Sequence, residues 1–211
     1  MAGGETCLPF FNMNDTAYNY SEALLPNTYT ICGVVLKPFC LGHLIILEHF
    51  QNPLVAPSEM DVSFSEGIYW LFQAILICSL SYEDNLLILD DDAEYQKLAN
   101  KFCDNLLKVM EKDPEWNFLK SLNMFKAYLK YFMNMPLYTE ENTKAETPSG
   151  IDWKNCIFLI FKKLGYDETQ ILNMNMKKLF FEWCSYAESE GALKVWNRHD
   201  VEAYKKLKGL N

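Results

Sequence analysis

The chain has 211 residues, half of them apolar, so it can bury a sizeable core, and this argues against disorder over most of its length. A net charge of -9, from 28 acidic and 19 basic residues, weighs against unassisted binding to nucleic acid or to an anionic membrane, and so does the presence of a single arginine, Arg198. Seven cysteines, an odd number in a chain too large to depend on disulfide staples, predict free thiols in a reducing compartment.

The opening MAGGETCLPFF lacks the basic and apolar regions of a secretory signal, so a cytoplasmic location is expected and the sequons at Asn14 and Asn19 are read as chance. Residues 1–26 show no steady period and predict an irregular arm carrying Phe10, Phe11, Tyr18 and Tyr20. Thr28 to Leu36, rich in β-branched and aromatic residues, predicts one short extended segment interrupted at Gly33. Pro38 suits the first turn of a helix that ends at Asn52-Pro53, because the residue before proline resists helical geometry.

Ser63 and Glu66 form a capping box for a central helix running to about Tyr82. Its 16-residue uncharged run, Gly67 to Tyr82, falls short of the ~20 residues that span a bilayer. Because it is apolar on every side, it predicts a helix buried all round. After an apolar patch at Leu86 to Leu89, Asp90, Asp91 and Asp92 cap a helix with a stripe of Tyr95, Leu98, Ala99, Phe102, Leu106, Val109 and Met110. Asp113-Pro114 starts the next, with a seam of Phe118, Leu122, Phe125, Leu129 and Phe132.

Residues 137–150 are polar and aperiodic and predict a linker. Beyond it, Trp153, Cys156, Ile157, Ile160, Phe161 and Leu164 share one helical face, and Met176, Leu179, Phe180, Trp183, Cys184 and Ala187 repeat the same spacing. Asp167 caps a short turn between them. An extended piece and a short basic helix follow Gly191. The expected fold is all-α: an irregular arm and multi-helix domain over 1–136 with room for one short β segment, a linker over 137–150, and a C-terminal helical unit over 151–211.

Chemistry-bearing residues are sparse. The three histidines are His43, His49 and His199. Cys32, Cys40 and His43 lack the paired spacing and fourth ligand of a zinc site, so His43 is read as a core histidine. The Asp90–Asp92 run lacks the alternation of a calcium loop, and Glu182, Glu188 and Glu190 fall on the polar side of their helix. No nucleophile elbow, P-loop, zinc-protease or dinucleotide pattern occurs, so no catalytic, cofactor-binding or metal residue is assigned. A small helical enzyme built on His43, Glu48 and distant acids is kept as an alternative.

Two segments resemble a known group. Leu36 to Val55, LKPFCLGHLIILEHFQNPLV, resembles the L-x-P-F-x-L-G-H-x-x-x-L-E opening of uncharacterised proteins associated with phage and prophage structural genes. Trp153 to Val195 resembles the C-terminal part of phage tail assembly chaperones, with a tryptophan-led helix, the turn GYDETQILNM and the helix FEWCSYAESEG. The resemblance implies a non-enzymatic assembly protein of the host cytoplasm that binds an apolar helical client such as a tape-measure protein, or alternatively a virion component. Contact is then expected through Trp153, Met174, Met176, Phe181, Trp183, Tyr186 and Trp196, with no cofactor, nucleic acid or membrane involved.

Overall fold

The β-branched run at 29–36 forms a hairpin rather than one extended piece. In the computed structural model, β1 (Tyr29–Ile31) and β2 (Val34–Leu36) pair antiparallel, with Tyr29 opposite Leu36 and Ile31 opposite Val34. Cys32 and Gly33 between them have φ of 51° and 75°, the two left-handed residues that a two-residue type I′ turn requires. The first of these positions usually holds Asn, Asp or Gly, and cysteine there conceals the turn in the sequence.

The structure describes residues 20–55, 64–89, 92–112, 118–136, 138–140 and 152–208. Ser63, Asp90, Asp91, Asp113 and Pro114, and with them three of the expected helix starts, lie outside that set, as do Phe10, Phe11 and Tyr18. The arm contributes a short helix, α1 (Tyr20–Leu24), before the hairpin. Then come α2 (Leu41–His49), α3 (Phe64–Ser79), α4 (Tyr82–Leu89), α5 (Asp92–Lys112) and α6 (Phe118–Phe132). The second half comprises β3 (Tyr138–Glu140), α7 (Trp153–Lys163), α8 (Glu168–Asn173), α9 (Met176–Ser189), β4 (Leu193–Val195) and α10 (Arg198–Lys208). The fold is all-α, with two small two-stranded sheets as its β content among the described residues.

α3 is the buried centre. All eight residues from Leu71 to Cys78 are buried, as a helix apolar on every side requires. Among the described residues no helix is long and apolar enough to cross a membrane. The helix does not continue to Tyr82: α3 ends at Ser79 and Ser81 starts a new helix. The Asp84 N–H donates to Ser81 Oγ at 3.1 Å, and the Ser81 hydroxyl donates to Asp84 Oδ2 at 2.7 Å. That reciprocal cap makes α4, and the apolar patch at 86–89 belongs to it. Buried Asn85 donates to the Ile77 and Ser81 carbonyls at 3.0 and 2.9 Å, which fixes the corner between α3 and α4.

The other end of α2 is tied to α3 in a similar way. Gln51 has φ 53°, and the Asn52 N–H reaches back to the Leu47 carbonyl at 2.9 Å, a left-handed helix closure. Asn52, fully buried, donates to the Trp70 carbonyl and to Gln73 Oε1 at 2.9 and 3.0 Å.

One hydrophobic cluster takes in Ile31, Leu36, Phe39, Leu44, Leu71, Ile75, Phe125, Tyr128, Phe132, Ile157, Phe161, Ile171, Leu179 and Phe180. The core is therefore continuous from the first hairpin to α9. Residues 138–140, in the stretch expected to be a linker, form β3 and pair antiparallel with β4, Tyr138 opposite Val195. Residues 137 and 141–150 are outside the described set. The stripe of α5 is only half-buried where it is described, at Tyr95, Leu98, Ala99 and Phe102. Phe50 stacks on Tyr95 at 5.8 Å and 13°, joining α5 to the end of α2.

Candidate functional site

Residues 37–43, the P-F-C-L-G-H segment and the lysine before it, form a junction that bonds to four other parts of the fold. The Lys37 N–H donates to the Cys78 carbonyl at the end of α3, and the Lys37 carbonyl accepts from the Tyr128 hydroxyl of α6, both at 2.8 Å. The Met176 N–H donates to the Phe39 carbonyl at 2.8 Å, and Cys40 forms an antiparallel bridge to Asn175. The loop between α8 and α9 is thus seated on the connector entering α2. At the neighbouring contact, the Tyr82 N–H donates to Asn173 Oδ1 at 3.3 Å, and Asn173 Nδ2 donates to Glu83 at 2.6 Å.

Gly42 explains how closely these pieces approach. A Cβ placed there would lie 2.3 Å from Tyr82 Cδ2, 2.7 Å from Tyr82 Cγ and 3.0 Å from the Leu172 carbonyl oxygen. Only glycine leaves room for the aromatic ring and the α8 backbone together.

His43 is 1% exposed, and both of its ring nitrogens are engaged. Nε2 lies 2.8 Å from the Leu80 carbonyl, which can only accept, so Nε2 carries the hydrogen and donates it. Nδ1 is then the unprotonated nitrogen and accepts from the Cys40 N–H at 3.4 Å. His43 thereby takes the place of the usual Glu or Gln at the third helical position of a capping box, with Cys40 as N-cap. Burial pulls the His43 pKa down to about 4, and nearby Lys37 acts in the same direction against the hydrogen bond to Leu80. Burial also pushes the Cys40 thiol up to about 12 and the Cys78 thiol higher still, so both are neutral packing groups. The Tyr128 hydroxyl is hydrogen-bonded to Cys78 as well as to Lys37, and burial raises its pKa well above the ordinary tyrosine value.

The residues weighed for catalysis or metal binding have other partners here. Cys32 Sγ donates to Ser121 Oγ at 3.4 Å. Glu48 pairs with Lys154 at 2.6 Å, and Lys154 also meets Asp152 at 3.0 Å, which links the end of α2 to the start of α7. Burial works against the Lys154 charge, but these carboxylates outweigh it and raise its pKa. His49 and His199 are exposed on α2 and α10. Among the described residues no three His, Cys, Asp or Glu side chains are gathered to hold a metal ion.

The residues expected to contact a partner divide into two sets. Met174 and Met176 are 7% and 0% exposed and belong to the core beside the junction. Trp153, Phe181, Trp183, Tyr186 and Trp196 are half-buried. Trp153 packs on Phe180 at 6.0 Å, Trp183 meets Tyr138 of β3 edge-on at 6.0 Å and 78°, and Trp196 meets Tyr204 at 5.1 Å. Behind α9, Lys177 is 4% exposed with Nζ 3.7 Å above the Tyr131 ring, a desolvated cation–π contact that joins α9 to α6.

Sequence reasoning singled out the aromatics and His43 but not Gly42, Tyr82, Asn173 or Asn175. The available signal was the run of asparagines at 173 and 175 with Met174 between, since short amides beside apolar residues often satisfy buried or turning backbone. Asn175 does this twice, accepting from the Lys178 N–H at 2.9 Å as N-cap of α9 and donating to the Ala23 carbonyl of α1 at 2.9 Å. Comparison of the chain with models of known families, with curated proteins and with solved structures finds no match in any of the three.

Proposed function

We propose that the protein is a non-enzymatic binding module that holds an apolar helical client, in the manner of a phage tail assembly chaperone. The observation that carries this reading is the half-buried aromatic set Trp153, Phe181, Trp183, Tyr186 and Trp196, carried by α7, α9 and the residue after β4, of which Trp153 and Trp183 pack against the core. Rings held on one side and wet on the other supply contact area at little cost in side-chain entropy, which suits them to an apolar partner. The acidic surface keeps such a module soluble while it covers client helices. The likeness of Trp153–Val195 to the chaperone C-terminal segment points to a tape-measure protein as the client.

Co-expression of the full chain with a tape-measure fragment is expected to yield a soluble complex on size exclusion. Trp183→Ala, which removes a half-exposed anchor, is expected to weaken it by about tenfold or more, the scale of an interface anchor. A fragment that stays insoluble and unbound in the presence of the wild-type chain overturns the client assignment.

A further inference from the structure

The junction contains a protonation-sensitive contact that the client-binding reading does not use. His43 Nδ1 holds the Cys40 N–H through its only lone pair, while Nε2–H is committed to the Leu80 carbonyl. A proton arriving on Nδ1 would set two N–H groups facing each other and place a cation 1% exposed to solvent. His43 also sits in the first turn of α2, where the helix dipole is positive, and this too disfavours a cation.

The groups around the ring offer no compensation. From the connector entering α2, Lys37 is the charged neighbour acting on it, and it repels. Cys40 on the same connector, Cys78 of α3 and Tyr128 of α6 are all held neutral by burial. From α4 and α8, the carboxylates of Glu83 and Glu168 act on Tyr82, and that of Glu83 also on Cys40.

We propose that His43 is an acid-sensitive latch: protonation of Nδ1 expels the ring from its seat, breaks the Cys40 cap of α2 and loosens the contact between residues 39–43 and residues 172–176. The mechanical link is direct, since the Phe39 carbonyl and Cys40 are the groups to which Met176 and Asn175 bond, and the Leu172 carbonyl lies over Gly42. The direction follows from linkage. The seated ring takes a proton only near pH 4 and a released ring near 6.5, so falling pH favours release throughout that window. The opened population is expected to rise about tenfold per pH unit within it.

The test uses the full chain and a dipyridyl disulfide, which reacts with thiols in acid. Labelled cysteines are mapped by mass spectrometry between pH 6.5 and about 4. Cys40 and Cys78 are 3% and 0% exposed, so each reports opening of the junction, and Cys184, 1% exposed on α9, reports wider unfolding. Labelling of Cys40 is expected to accelerate as pH falls, ahead of Cys184. His43→Gln is expected to abolish that acceleration, because glutamine is an ordinary residue at this capping-box position and does not titrate. Ring-nitrogen chemical shifts of wild-type His43 give a reading independent of the variant, and are expected to show the Nε2–H tautomer above the transition and protonation in step with Cys40 labelling. The latch is overturned if Cys40 and Cys184 open together with equal pH dependence in wild type and His43→Gln. It is equally overturned if the ring titrates while Cys40 stays protected.

Discussion

The junction at residues 37–43 and the half-buried aromatic set of α7, α9 and Trp196 are held in different ways. At the junction the ties are directional: backbone to backbone at Phe39 and Met176, side chain to backbone at His43 and Tyr128, and a glycine where a methyl group has no room. Among the half-buried aromatics, Trp153, Trp183 and Trp196 each meet another ring, Phe180, Tyr138 and Tyr204. Directional, buried ties tolerate little change, because each lost partner strands another. Half-wet ring contacts tolerate more, because water replaces what is removed. The first region fixes the architecture, and the second is the one proposed to meet a partner.

The sharpest way to break this contrast is Gly42→Ala. The added carbon meets the near edge of the Tyr82 ring at 2.3 Å rather than the tip of a flexible chain, and the Leu172 carbonyl blocks the other side. The ring must move bodily, and a cost of about 2 to 3 kcal/mol in urea unfolding is expected, the scale of overpacking. Tyr82→Ala in the same chain should return part of that loss, giving a coupling energy in a double-mutant cycle. A Gly42→Ala protein as stable as wild type would show that the close approach constrains nothing.

Tyr128→Phe tests the polar half of the contrast with almost no change of volume. It removes the donor to the Lys37 carbonyl at 2.8 Å and the partner of the Cys78 thiol, inside a cluster where Tyr128 is 0% exposed. Taking the donor from this partly buried carbonyl is expected to cost about 1 kcal/mol. An unchanged unfolding midpoint would mean that the carbonyl finds another donor.

How much of this was legible in the sequence follows the same division. The helices and their faces were readable, because periodicity is local: α3 is buried all round from Leu71 to Cys78, within its uncharged run, and Asp167 caps α8 with Gln170 completing the box. Two local signals were present and outweighed by their surroundings. The Ser81-x-x-Asp84 cap was hidden by an apolar run that seemed to continue through it, and the hairpin turn by a cysteine in place of asparagine. The junction was not legible in the same way. Its bonds join residues 91 positions apart at Lys37–Tyr128 and at Tyr82–Asn173, and nothing in local pattern pairs them. Within the L-G-H motif the sequence marks the residues, but the use of each depends on elements that arrive far later in the chain.

The smallest expected effect belongs to the half-buried aromatics. Trp183 is half-buried on α9, and its recorded ring contact is the edge-on meeting with Tyr138 at 6.0 Å. Trp183→Phe keeps an aromatic ring there and gives up only the outer part of the indole, so a loss of under about 1 kcal/mol is expected, since half-solvated positions outside a polar network rarely cost more. If Trp183 contacts the proposed client, the same change should weaken binding while the unfolding midpoint barely moves. A large stability loss would instead make Trp183 a structural support of β3, and it would then belong to the same class as the junction.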